Sequence, residues 1–234
     1  MSTLYRLFLS NLASRGRVVG LLALGMLAVV VGWAIGMSDT ADPLDDGTTM
    51  VANLGLALIA PVVTLVLSSA VLGDPNEDGT LVYLWLRPVA RWQLATAATA
   101  AALTVALPIV VVPLAIAAAL TGGGGELVTG TMAACAIAVV GYGGLFTWLG
   151  LRIKRAMPWG LAYILVWEGF IARAGDGTEA LSIRSHTVSV LSRLADGPRS
   201  MWESTMSTGV LVPVLAGLVA IYFTSRRLQL QDVA

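Results

Sequence analysis

Residues 74–93 read DPNEDGTLVYLWLRPVARWQ, a polar and aromatic interruption between two long apolar blocks. Its opening has the chemistry of a helix start. Asp74 can cap, Pro75 suits the first helical position, and Glu77 stands three residues after the cap, where a capping box places its acid. Leu81, Leu84 and Trp85 then fall on one helical face. Arg87 precedes Pro88, which disfavours helical geometry at Arg87 and ends the helix before Arg91 and Trp92 lead into the next apolar block. The spacing predicts a short, capped, amphipathic helix at a membrane surface; a solvated loop with interfacial anchors would carry the same residues.

The blocks on either side set the class of protein. Of 234 residues, 57% are hydrophobic and 12% charged, with a mean hydropathy of +0.82. A soluble globular chain is about one quarter charged, so this composition belongs in a bilayer. Fourteen basic and fourteen acidic residues balance, which removes any global attraction for nucleic acid. The single cysteine, Cys135, stands inside an apolar block, which excludes an internal disulfide and a multi-cysteine metal site and leaves it as a small packing residue.

Taken in order, residues 1–17 place Leu4, Tyr5, Phe8 and Leu12 at helical spacing among Arg6, Arg15 and Arg17, which predicts an amphipathic helix lying along the membrane. Apolar runs then predict six spans, at about 18–36, 50–72, 93–120, 128–151, 157–172 and 207–225. The first is long enough to span, and no cleavage site of the usual small-residue kind follows it. Asp39, Asp42, Asp45 and Asp46 after it read as a solvated loop, although acids at this density can bind a cation. Pro61, Pro108 and Pro113 predict kinks inside spans two and three. Gly122 to Gly125 lack the ending of a phosphate loop and read as a tight turn, while Gly130, Gly141, Gly143 and Gly144 permit close helix approach in the fourth span.

The block at 157–172 is about 24 Å long if helical, less than the hydrocarbon thickness, so it need not cross by itself. Residues 173–206 are mixed. Leu181, Val188, Leu191 and Leu194 give a partial apolar face, broken by Gly175, Gly177, Gly197 and Pro198, which predicts one or two short helices at or dipping into the outer leaflet. Six spans put both termini on one side. Arg6, Arg15, Arg17, Arg87, Arg91, Arg152, Lys154, Arg155, Arg226 and Arg227 fall on that side, against Arg173, Arg184, Arg193 and Arg199 on the other, so both termini and residues 73–92 are expected in the cytoplasm.

Few residues offer chemistry. His186 lies beside Ser185 and Ser189, but a triad also needs an orienting carboxylate, and one nitrogen ligand with Asp176 or Glu179 is the composition of any polar loop. Glu168 is an acid inside an apolar block, and an intramembrane acid is a functional candidate. The structural alternative is that the helix ends there, with Glu168 capping the backbone of the following segment or pairing with Arg173. Trp167 and Tyr163 stand beside it as candidates to line a substrate path; such aromatics in spans also serve as packing and interface anchors.

The layout resembles the ABC type-2 permease family. The sequence-specific part of the resemblance is the loop, where Glu77, Gly79, Thr80, Leu81, Pro88 and Arg91 match a pattern of acid, Gly-Thr-Leu, a few apolar residues, Pro and a base three residues on. Asp74-Pro75-Asn76 stand where many members have a more basic lead-in. The resemblance implies an all-α membrane domain of six helices, with an N-terminal interfacial helix, a coupling helix between spans two and three and short external helices before the last span. It implies a non-catalytic permease subunit of an exporter in the cytoplasmic membrane, paired with a second copy or a related permease. Two cytoplasmic ATP-binding subunits would carry the ATP and Mg, with no cofactor on this chain. By the same resemblance Glu77, Gly79, Thr80, Leu81, Tyr83, Leu84, Trp85, Arg87, Pro88 and Arg91 form the coupling element. A stand-alone six-span enzyme or channel is the alternative.

Overall fold

The computed structural model describes residues 2–12, 14–38, 41–82, 89–173, 176–201 and 204–230, and among them every regular element is a helix. In chain order these are α1 (Ser2–Leu12), α2 (Arg15–Gly36), α3 (Pro43–Glu77), α4 (Arg91–Leu120), α5 (Gly124–Arg152), α6 (Ala156–Ala162), α7 (Asp176–Glu179), α8 (Ile183–Leu194) and α9 (Met206–Leu230). Five of them, α2, α3, α4, α5 and α9, are long and apolar enough to cross a membrane. The fifth apolar block is different. Seven residues of α6 continue into six π-helical residues, Tyr163–Glu168, so the rod is about 20 Å long at 1.5 Å per residue. A 3-10 turn at Ile171–Arg173 follows.

The helix α5 sits at the centre, packed against α3, α4, α8 and α9. Close approach requires missing side chains. A Cβ on Gly144 would run into the Gly217 backbone of α9, and one on Gly150 into the Ser69 carbonyl of α3. Backbones can therefore meet where there is no hydrophobic force between helices in lipid, and dispersion contacts hold them. The apolar faces left outside the bundle include a stripe on α2 of Val19, Leu22, Met26, Val30 and Trp33.

Where the sequence predicts a span at 50–72, α3 is longer at both ends. Asp42 caps it by accepting from the Asp45 N–H at 3.1 Å, Pro43 takes the first turn, and Asp45 and Asp46 lie in that turn, where the helix dipole favours acids. Three of the four acids thus belong to a helix start; Asp39 lies outside the described residues. In the middle, Val51–Ile59 is π-helical, and the Ala60 N–H bonds the Gly55 carbonyl five residues back. Pro61, which has no N–H and crowds the preceding turn, follows directly.

One end of the bundle gathers α1, the end of α3, the start of α4 and the ends of α5 and α9. Leu4, Phe8 and Leu12 of α1 are buried there with Leu81, Leu94, Leu151 and Leu228. Arg6, Arg91, Arg152, Arg226 and Arg227 lie in these elements, with Arg15 and Arg17 at the start of α2 and Lys154 and Arg155 in the turn after α5, so we refer to this as the basic end. At the opposite end α8 is part of the bundle. It packs against α5 and α9, with His186, Thr187, Ser189 and Ser192 buried. Backbone carbonyls absorb their polarity: Thr187 donates to Ile183 and Arg184, Ser189 to Met201, and Ser192 to Pro198. Of the apolar face expected there, Val188 and Leu191 are buried, while Leu181, in the turn before the helix, and Leu194, at its end, are exposed.

Candidate functional site

At the basic end the acid-rich run closes a helix instead of opening one. Asp74 and Pro75 lie inside the last turns of α3, with the Asp78 N–H bonded to the Asp74 carbonyl at 2.9 Å. Gly79 then takes φ +68°, the left-handed position that ends a helix and that a residue without Cβ adopts at least cost. Asp74 is therefore not a cap. Its carboxylate pairs with Arg17 at 2.8 Å, joining the start of α2 to the end of α3. Glu77 is not part of a capping box either. It accepts from the backbone N–H of Arg155 at 2.6 Å, in the turn between α5 and α6.

The remaining residues of this stretch separate into three groups. Thr80 is exposed, and its hydroxyl lies 3.4 Å from the Pro75 carbonyl. Leu81 turns inward, 5% exposed, onto the α1 cluster. Tyr83, Leu84, Trp85, Arg87 and Pro88 lie outside the described residues. Arg91 begins α4, half-buried. A cleft of about 310 Å³ opens beside Arg17 and Asp74, with Asn11, Asp78 and Thr80 on its rim.

At the opposite end Glu168 closes the π-helical rod and is 2% exposed. An acid survives there because donors surround it. The Ser182 hydroxyl donates to Oε2 at 2.5 Å, the Ile183 N–H to Oε1 at 3.2 Å and the Arg184 N–H to Oε2 at 3.4 Å. The Tyr163 hydroxyl donates to Oε1 at 3.2 Å. Three of the four come from the start of α8, so the carboxylate neutralises the orphan N–H groups and positive dipole of that helix. Ser182, the helix's own cap, accepts from the Ser185 N–H at 3.1 Å. Trp167 is half-buried on the same rod.

Above Glu168 is a cavity of about 390 Å³ lined by Asn53, Glu179, Ser182, Arg184 and Ser185. The Arg184 guanidinium donates to Asn53 Oδ1 at 3.2 Å, bridging α8 to the π-helical part of α3. Asn53 also borders a shallower apolar groove of about 560 Å³ with Val31, Ile35 and Leu54. His186 Nε2 meets the Ala180 carbonyl at 3.0 Å, and among the described residues no group of three potential ligands converges; the Asp176 side chain lies outside them.

Several of these contacts escape sequence reasoning. Asn53 gives a signal, as the lone amide in an apolar block, and Ser182 gives one as a Ser preceding a helical run. Asp74 reads as a helix cap and Arg17 as one base of the N-terminal segment, and nothing in the sequence pairs them. The Arg155 contact has no signal, because the backbone supplies it.

The family model described as "ABC-2 family transporter protein" matches residues 14–172, from the start of α2 to the 3-10 turn after Glu168. No curated protein matches the chain.

Proposed function

The chain belongs to the ABC-2 transporter family, and from that premise we propose that it is the membrane half of an ATP-driven exporter. The permease spans the cytoplasmic membrane with the basic end and both termini in the cytoplasm. It pairs with a second copy or a related permease, and two separate ATP-binding subunits hydrolyse the ATP. The family match over 14–172 carries this reading, and the basic residues gathered at one end support the orientation.

Residues 83–88, with Tyr83, Leu84, Trp85, Arg87 and Pro88, form the contact with the ATP-binding subunit. Glu77, Gly79 and Thr80 set where this loop leaves α3, and Arg91 where it re-enters the membrane. Leu81 packs against α1, and Leu84 and Trp85 supply the apolar and aromatic anchors. Apolar and aromatic anchors are suited to seat in a partner's groove and receive its rigid-body displacement. Cargo passes Tyr163, Trp167 and the cavity by Asn53, where Glu168 acts by holding α8.

The test is purification of the tagged chain with its ATP-binding subunit, followed by ATP hydrolysis and transport in vesicles. Interface anchors are worth about 2 kcal/mol or more each, so Leu84→Ala with Trp85→Ala should weaken the complex or leave hydrolysis that drives no transport. Normal transport from the double variant would refute this placement of the contact. A chain that turns over a substrate with no ATPase bound would favour a stand-alone enzyme or channel.

A further inference from the structure

We propose that Glu77 and Glu168 are positioning residues that clamp the two ends of the 155–168 segment, so that α3, this segment and α8 move as one unit between the ATPase-facing loop and the cavity wall. The inference rests on the chain being an ATP-driven permease. Its basis is a closed circuit of contacts. Glu77, on the last residue of α3, accepts from the Arg155 N–H at 2.6 Å. Arg155 has φ 55° and ψ 55°, a left-handed backbone that any residue with a Cβ resists, immediately before α6. A short charge-assisted bond fixes the segment where its backbone is least favoured.

The circuit then follows the rod. Gly160 of α6 faces Leu65 of α3 so closely that a Cβ there would overlap the leucine methyls. Glu168 ends the rod and takes the first N–H groups of α8, from Ile183 and Arg184, with the Ser182 hydroxyl. Arg184 returns to α3 through Asn53 at 3.2 Å. Each acid thus joins one end of a rod too short to span to a neighbouring helix, and the cavity residues Asn53, Glu168, Ser182 and Arg184 all belong to the circuit. Displacing the end of α3 must move the cavity wall or break a bond in the chain. The Glu77–Arg155 bond is exposed and acts as a tether, while the Gly160–Leu65 contact is packed closely enough to transmit displacement.

The experiment places a reporter at the far end. Glu179→Cys, on the cavity wall, in a Cys135→Ala background, is labelled by a membrane-impermeant maleimide in the purified permease–ATPase complex, with and without ATP plus vanadate. In the parent the labelling rate should differ between the two states. Glu77→Ala should abolish that difference and cut transport about tenfold, the scale of one charged hydrogen bond, while assembly and ATP hydrolysis persist. Glu77→Gln retains an acceptor oxygen without the charge and should respond in between; it carries the test alone if the alanine variant does not assemble. Arg155→Gly keeps the N–H, suits the left-handed backbone and should respond as the parent does. A full nucleotide response from Glu77→Ala or Glu77→Gln overturns the proposal. So does an Arg155→Gly loss equal to that of Glu77→Ala, since the side chain would then be the partner. A parent complex with no ATP hydrolysis overturns the permease reading and this inference with it, whereas hydrolysis with an unresponsive reporter overturns this inference alone.

Discussion

Replacing Glu168 separates a structural acid from a transporting one, and the cost can be worked from its bonds. Alanine leaves the Ile183 and Arg184 N–H groups and the Ser182 and Tyr163 hydroxyls without their acceptor. Hydroxyls can rotate to other partners, but amide hydrogens cannot. Two stranded N–H groups cost about 1–3 kcal/mol each when buried, and the lost anion at a helix start adds about 0.5–1 kcal/mol. Ile183 is buried, whereas Arg184 borders the cavity and can reach water, so its share is the smaller. The total expected for Glu168→Ala is about 3 kcal/mol. Glu168→Gln keeps one oxygen for Ile183 and Tyr163 but loses the charge and turns an amide N–H toward the Arg184 N–H, at about 1 kcal/mol. Reversible unfolding in mixed micelles gives the stabilities, and hydrogen exchange at residues 183–185 reports the helix start directly. Unchanged stability and unchanged exchange in Glu168→Ala would refute the capping argument. Abolished transport from a fully stable Glu168→Gln would show that the carboxylate itself acts on cargo or protons.

Three further outcomes are expected. In a Cys135→Ala background, Gly125→Cys should react with an impermeant thiol reagent in intact cells and Gly79→Cys only after permeabilisation; labelling of both in intact cells would refute the orientation. A Cβ on Gly32 would strike the Ala117 backbone of α4, whereas Gly20 has nothing within 4 Å. Gly32→Ala should therefore cost about 1–3 kcal/mol by overpacking, while Gly20→Ala leaves the unfolding midpoint unchanged or raised. The Arg17–Asp74 pair is 25% and 54% exposed at its two side chains, so a double-mutant cycle should return a coupling of only about 0–1 kcal/mol, falling with salt.

The five long helices are legible in the sequence because lipid offers no partner for backbone or charge, and the hydropathy pattern must answer to that alone. The shortness of the fifth block is legible for the same reason, and with it the break after Glu168. The reading fails at 74–79, where two sets of local signals overlap. Asp74-Pro75 with Glu77 has the form of a helix start, and Asp78-Gly79 that of a helix stop. Packing decides between them. The Ser69 and Gly73 turns of α3 lie against Gly150 of α5, which holds the helix regular past the end of the apolar run. Glu77 then finds its partner 78 residues away, on a backbone N–H that any residue but proline would supply. The mixed segment is legible only in part. Hydropathy counts Thr187, Ser189 and Ser192 as polar and leaves α8 at, or dipping into, the outer leaflet. Each hydroxyl instead bonds a nearby carbonyl, and the helix can be buried. In both places the determining contact uses the main chain. Side-chain identity registers that contact weakly, so the sequence offers the capping of the following segment by Glu168 only as an alternative to a functional acid, and the Ile183 and Arg184 N–H groups that decide it carry no signal of their own.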